Sequence, residues 1–212
     1  MKDEILQTSL KQFLKYGVRE MSIQKLIEPL GISTKTVYKY FKNKEELLEE
    51  ALTLFHAQHR KTWKSQAAIQ SAVILFFEIW HTAIEIEYDV NKAFFKDLHY
   101  YYPELLKKKD AELDKEYTKQ FIQVLYKGIE QGVFLKHINP EITFMGISIL
   151  YQAIAREEQF KRYRASPDEI LLNTIALYIR GFCTEKGIKE LDNHIQNLKV
   201  ASKMKLPTKK SR

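Results

Sequence analysis

The stretch that most limits what this chain can fold into is SIQKLIEPLGISTKTVYKYFKNKEEL, Ser22 to Leu47, where the signals for a helix, a tight turn, a second helix and the capped start of a third follow without a gap. Ser22 is placed to cap the first of them, because its hydroxyl oxygen can accept from N–H groups that a helix start leaves unpaired. Leu26, Ile27 and Leu30 give that helix an apolar face at spacings of three and four. Gly31 stands just past its end, where the chain usually turns left-handed and only glycine does so without a Cβ penalty. Pro29, in the last turn, removes a backbone donor, so a local kink is expected there.

Ser33 is the next capping residue and opens a helix expected over Thr34–Phe41, about 12 Å long at about 1.5 Å per residue. Val37 and Phe41, four apart, face inward. Thr34, Lys35, Thr36, Tyr38 and Lys39 remain outward, a set of hydroxyls, amines and a phenol suited to phosphates and base edges. Asn43 with Glu46 three residues later is a capping-box arrangement for the third helix. Lys44 follows that cap, beside a helix N-terminus that already favours an anion. Such a head is built to read DNA; the bland alternative is three-helix packing with no nucleic acid.

Taken in order, Ser22, Leu26 with Ile27, Gly31, Ile32, Ser33, Val37, Tyr38, Tyr40, Phe41, Lys44 and Leu47 resemble the N-terminal domain of the TetR family of bacterial transcriptional regulators. The resemblance covers about the first quarter of the chain. It departs at Ile27 and Leu30, where the family commonly has alanine, and at Lys35, where a small residue is common. It implies an all-α chain: an N-terminal three-helix helix-turn-helix DNA-binding domain over 1–46, a larger C-terminal helical ligand-binding and dimerisation domain over 47–198, and a basic tail over 199–212 that is expected to be disordered. The implied partners are a double-stranded DNA operator, a second copy of the chain and a small-molecule ligand. The expected DNA-contact set is Ser22, Gln24, Ser33, Thr34, Lys35, Thr36, Tyr38, Lys39, Tyr40 and Lys44. Tyr38, Tyr40, Lys44 and the two serine caps are expected on phosphates, and Gln24, Thr34, Lys35, Thr36 and Lys39 at base edges.

The charge distribution agrees. The chain carries +7 overall, of which residues 1–45 hold +4, residues 199–212 hold +6 and the middle −3, so basic charge sits at the two ends where a polyanion could be met. A single cysteine, Cys183, excludes an internal disulfide framework and fits a reducing compartment. The start lacks the apolar core of a signal peptide, and the longest apolar run, Ala72 to Phe77, is too short to span a bilayer. A cytoplasmic protein without membrane contact is expected.

The remaining chain reads as helices near 2–16, 44–65, 68–88, 91–102, 103–131, 140–160 and 167–185, with a short one near 188–198. Asn139-Pro140 and Ser166-Pro167 are well-signalled starts, each a capping residue before a proline at the first helical position. The segments 144–154 and 170–182 are apolar nearly all round, so each sits at the centre of a monomer or faces a partner. The family resemblance implies that they pair with their symmetry mates, giving Ile147, Leu150, Tyr151, Ile154, Leu172, Ile175, Ile179 and Phe182 as expected interface residues. Aromatic side chains crowd the middle helices, and Phe76, Phe77, Trp80, Phe94, Phe95, Phe121 and Tyr126 are the candidate walls of a ligand pocket, against the plainer reading of an ordinary core.

No cofactor or metal is expected. His56 and His59 stand three apart, with His81 and His99 further on, but no Cys or acidic residue completes a recognisable zinc spacing. There is no Gly-rich phosphate loop, no Gly-x-Ser-x-Gly turn and no His-Glu-x-x-His, so an enzyme is not expected. The sequence therefore points to a homodimeric repressor released from a palindromic operator by a small apolar or amphipathic ligand. The other readings are a helical ligand sensor acting through a protein partner with no specific DNA target, and a non-specific DNA-coating protein, which the acidic middle argues against.

Overall fold

Helix α1, Lys2–Tyr16, buries Ile5, Leu10 and Phe13 on one side, and its chain turns at Gly17. Short helices follow, α2 at Ile23–Ile27 and α3 at Thr34–Val37, before the long α4 at Lys44–Ser65. The computed structural model describes residues 1–66, 68–157 and 159–205, with the side chains at 59, 61–65, 110–117, 161 and 199–205 outside that description. The body comprises α5 (Ala72–Glu87), α6 (Lys92–Tyr101), α7 (Pro103–Glu130), α8 (Pro140–Ala155), α9 (Pro167–Asn173), α10 (Ile175–Gly181) and α11 (Glu185–Lys205). The fold is all-α; among the described residues the only strand-like feature is a single bridge between Phe134 and Cys183.

Local signals explain most boundaries. Ser22, Ser33, Ser71, Asn91, Asn139 and Ser166 each accept a hydrogen bond from a backbone N–H of the helix they open. Gly31 adopts φ 63° and ψ 22°, the left-handed turn expected of it. Pro29 does more than kink its helix: Glu28–Leu30 tightens into a 3-10 turn, which satisfies Gly31 N–H at the Glu28 carbonyl.

Three expectations change. The second reading helix is shorter than Thr34–Phe41: its α-helical part ends at Val37, and Tyr38 to Tyr40 continue as turns. The helix expected over 167–185 is broken at Thr174, whose backbone leaves the helical region while its hydroxyl bonds back to the Ile170 carbonyl. The expected short helix near 188–198 is instead the long α11. It carries helical backbone to Lys205, into the segment expected as a tail, and 206–212 lie outside the described residues.

Two apolar cores result. One joins α1–α4 to Val90, Phe94, Leu98 and Leu105, so the reading head is packed directly on α6 and the start of α7, and α4 runs unbroken past residue 46. The other surrounds α5, whose Phe76 is enclosed by the rings of Trp80, Phe121, Phe134 and Phe182. Each such buried side chain contributes about 1.5–3 kcal/mol relative to exposure.

Candidate nucleic-acid interface and ligand cavity

Because α3 is held from behind by Val37 and Phe41, both buried, the residues between them are driven outward. Lys35, Tyr38, Lys39 and Tyr40 are exposed, Thr34 and Thr36 half-buried, and Ser22 and Gln24 lie exposed at the start of α2. The serine oxygens are committed to capping: Ser22 Oγ accepts from Lys25 N–H and Ser33 Oγ from Thr36 N–H, each at 3.3 Å. The Thr36 hydroxyl pairs with that of Ser33 at 3.1 Å. Among the described residues, Lys35, Lys39 and Lys42 take part in no ion pair, which leaves three ammonium groups free on this face. Lys42 was missed in the sequence; its only signal is its place just before the Asn43 cap.

Lys44 is a correction. Its ammonium donates to the Val18 carbonyl at 2.6 Å, and burial lowers its pKa against the pull of Asp97 and Glu20. It therefore braces the turn after α1 instead of standing out toward a phosphate. The capping box at α4 is also modified: Asn43 Oδ1 accepts from Glu46 N–H at 2.8 Å, while the Glu46 carboxylate reaches back to the N–H of Lys42.

The turn after α1 is tied to the body. Asp97 of α6 accepts from the N–H groups of Val18 and Arg19, both at 2.8 Å. Gly17, at φ 84°, gives the carboxylate room, since a Cβ there would lie 2.9 Å from Asp97 Oδ2. Asn91 at the start of α6 donates to the last carbonyls of α1, from its backbone to Leu14 at 2.9 Å and from its side chain to Lys15 at 3.0 Å.

Behind α6 lies a cavity of about 1090 Å³. Its buried lining is mostly apolar, with Ile79, Trp80, Phe94, Leu98 and Phe121, and its exposed lining on α7 and α8 is mostly polar, with Lys119, Gln123, Tyr126, Glu141 and Gln152. Of the aromatic residues expected in a pocket, Trp80, Phe94, Phe95, Phe121 and Tyr126 line this space. Phe76 and Phe77 do not. Phe76 is sealed among four rings, two of which, Trp80 and Phe121, themselves line the cavity, and Phe77 packs on another side of α5 against His81 and His194. Helical spacing cannot separate them, because α5 is apolar on nearly every side.

Polar groups at the cavity wall were not anticipated. Glu87, buried, pairs with Arg156 at 3.3 Å, and the Arg156 guanidinium lies 5.2 Å from the Phe95 ring centre. Tyr151 is buried beside them; burial, and then the Glu87 carboxylate, push its phenol well above the usual tyrosine value. His56 also lines the cavity, whereas the side chain of His59 lies outside the described residues.

The expected partner-facing residues also need correction. Ile147, Tyr151, Ile154, Ile175, Ile179 and Phe182 are buried within the protomer, and Leu150 and Leu172 are half-buried against the same core. The uncovered stripe is the neighbouring one, with Ile142 70% exposed, Met145 59%, Ile149 61% and Leu177 56%, together with Tyr178.

Residues 5–51 match the family described as bacterial regulatory proteins, tetR family. A relative, the HTH-type transcriptional repressor KstR2 of Mycobacterium tuberculosis, is 24% identical over 152 residues, which cover 66% of this chain and 72% of that protein. The structure of the ketosteroid transcriptional regulator KstR2 of the same organism superposes with a TM-score of 0.59 at 18% identity, over 87% of this chain and 95% of that one. A TetR-family transcriptional regulator from Cytophaga hutchinsonii gives 0.70 at 15% identity, over 87% and 95%. The reading head over residues 5–51 thus matches the tetR family in sequence, the helical body shares the fold of solved TetR-family regulators, and these likenesses support a DNA-binding regulator of transcription.

Proposed function

We propose that this regulator is a homodimeric repressor that leaves a palindromic operator when a small apolar or amphipathic molecule enters the cavity. The observation that carries this reading is the shared use of α6. Its Phe94, Phe95 and Leu98 line the cavity, and its Asp97 and Asn91 grip the turn and the end of α1 in the reading head. An occupant that shifts α6 acts on the head through hydrogen bonds already in place, and it acts only as far as it binds the two arrangements differently. The mostly apolar buried lining and the polar exposed lining favour a ligand with a rigid or extended apolar body and one polar end. KstR2 is described as a ketosteroid regulator, and a molecule of that character is one such shape.

Lys35 and Lys39 are proposed at base edges with Gln24, Thr34 and Thr36, while Tyr38, Tyr40 and the Ser22 and Ser33 hydroxyls, with Lys42 added, hold phosphates. The stripe of Ile142, Met145, Ile149, Leu177 and Tyr178 is proposed to meet its counterpart in the second copy, which sets two heads on two half-sites. A cytoplasmic setting follows from this role, and no helix among the described residues is long and apolar enough to cross a membrane.

Selection from random duplex DNA at moderate salt tests the reading. Enrichment of a palindrome with half-sites about one helical turn apart, about 34–36 Å or a multiple, is expected. Folded, helical protein that enriches no sequence would instead favour the ligand sensor acting through a protein partner.

A further inference from the structure

On the side of α5 away from the cavity, five ionisable side chains from three helices meet. Glu78, His81 and Glu85 are three and four residues apart, so they share one face of α5. Asp168, in the first turn of α9, and His194 of α11 close over them. His81 Nε2 is 3.2 Å from Asp168 Oδ1 and 3.7 Å from Glu85 Oε1. Its other nitrogen, Nδ1, is 3.7 Å from one oxygen of Glu78, whose second oxygen is 2.5 Å from His194 Nε2.

This differs from an ordinary ion-pair chain in two ways. Two carboxylates face the same imidazole nitrogen, which carries at most one proton; Asp168 is within hydrogen-bond distance of it and Glu85 lies just beyond. And among the described residues no lysine or arginine pairs with Glu78, Glu85 or Asp168, so three carboxylates meet only two imidazoles.

We propose that His81, Glu85 and Asp168 form a binding site for one divalent transition-metal ion, zinc being the best fit, which ties α5 to α9. Their donor atoms all lie within 4.8 Å of one another. Donors about 2.0–2.2 Å from a single zinc stand about 3.4 Å apart in a tetrahedron, so small side-chain rotations close the gap. Glu78 sits at the far nitrogen of the ring, the position from which a carboxylate fixes the tautomer and leaves Nε2 free for a metal. Glu85 and Asp168 have side chains 56% and 60% exposed, so the ion has a path in and a coordination position open to water. One imidazole among the ligands selects against magnesium and calcium, which take oxygen. The sequence held half of this, the i,i+4 pair of His81 and Glu85; Asp168 arrives only through the fold.

The test uses the full, untagged chain after chelator treatment, titrated calorimetrically with Zn²⁺ and, in parallel, with Mg²⁺. One zinc per chain, a zinc-dependent rise in Tm and no response to magnesium are expected. The double variant Asp168→Asn, Glu85→Gln alters exposed side chains alone and should weaken zinc binding more than tenfold. Glu78→Gln, acting through the His81 ring, should weaken it by about 10–100-fold. Zinc affinity unchanged in the double variant, or no saturable one-to-one binding by the folded wild type, would overturn the site. Neither outcome depends on whether the chain represses, binds an operator or holds an organic ligand.

Discussion

The head and the body of this regulator are finished to different degrees. In the head, Phe13, Leu26, Val37 and Phe41 are sealed, the serine caps are made, and Lys44 braces one turn that Asp97 of α6 also holds from the body. In the body, a cavity of about 1090 Å³ stands beside an equally well-packed aromatic core, and one apolar stripe on α8 and α10 is left uncovered. The head is built to hold a single surface in one shape. The body leaves a cavity and an apolar stripe open, and the proposed function assigns the first to a small molecule and the second to another copy of the chain.

That contrast predicts unequal costs for the same truncation. Phe13→Ala, in the sealed head, should cost about 3–5 kcal/mol in urea unfolding, the usual range for a buried phenylalanine that leaves a new void. Phe95→Ala removes a ring already bordering open space and should cost nearer 1 kcal/mol. Equal losses, at unchanged denaturant slope, would mean the cavity wall is packed as tightly as the head and would remove the basis of the comparison.

The uncovered stripe is separated from the core by a single helical step. Ile149→Glu should leave the protomer folded and raise the dimer dissociation constant by more than tenfold, about 1.4 kcal/mol, in analytical ultracentrifugation. Ile147→Ala, two positions away and fully buried, should do the reverse, lowering stability by about 2–5 kcal/mol with the association constant little changed.

Within the head, two lysines nine residues apart should behave differently. Lys35→Ala should weaken operator binding by about 1–3 kcal/mol and relax preference at one base pair. Lys44→Met should instead lower the thermal stability of the head by about 1 kcal/mol, through the lost bond to the Val18 carbonyl, and weaken binding to operator and random DNA alike. A Lys44 variant that loses operator binding at unchanged stability would return this residue to the DNA surface.

These corrections show where sequence reasoning stops. The head was legible because its determinants are local: a cap, a glycine, a cap again, each acting within four residues of itself. Lys44 escaped because its partner is a carbonyl 26 residues away, and chain proximity to a helix N-terminus looked like sufficient reason for a phosphate. The body was legible as helices but not as faces. On α8 and α10 apolar residues occur on almost every side, so periodicity places Ile147 and Ile149 with equal force, and only the packing of α5 against them decides which is inside. The same holds on α5, where Phe76 and Phe77 were grouped with Trp80 although only Trp80 borders the cavity. Asp97 carried no local signal at all, since its work is to receive two N–H groups from a turn almost 80 residues earlier.

The smallest predicted effect concerns Cys183, at the junction of α10 and α11. Burial pushes its thiol up to about 12, with Arg180 pulling down and Asp192 and Glu190 pushing up. A thiol raised in the folded state holds its proton over a range where the unfolded chain has lost it. Its contribution to stability is therefore complete below the unfolded value of about 8.5 and is lost progressively as pH rises toward 12. Urea midpoints measured from pH 8 to pH 10.5 should fall more steeply for the wild type than for Cys183→Ala, with the two slopes alike below pH 8. The native thiol should also react slowly with a disulfide reagent at pH 8, and rapidly once urea exposes it. Parallel slopes, or fast labelling of the folded chain, would show that the α10–α11 junction opens readily, and would extend to a third place the looseness that distinguishes the body from the head.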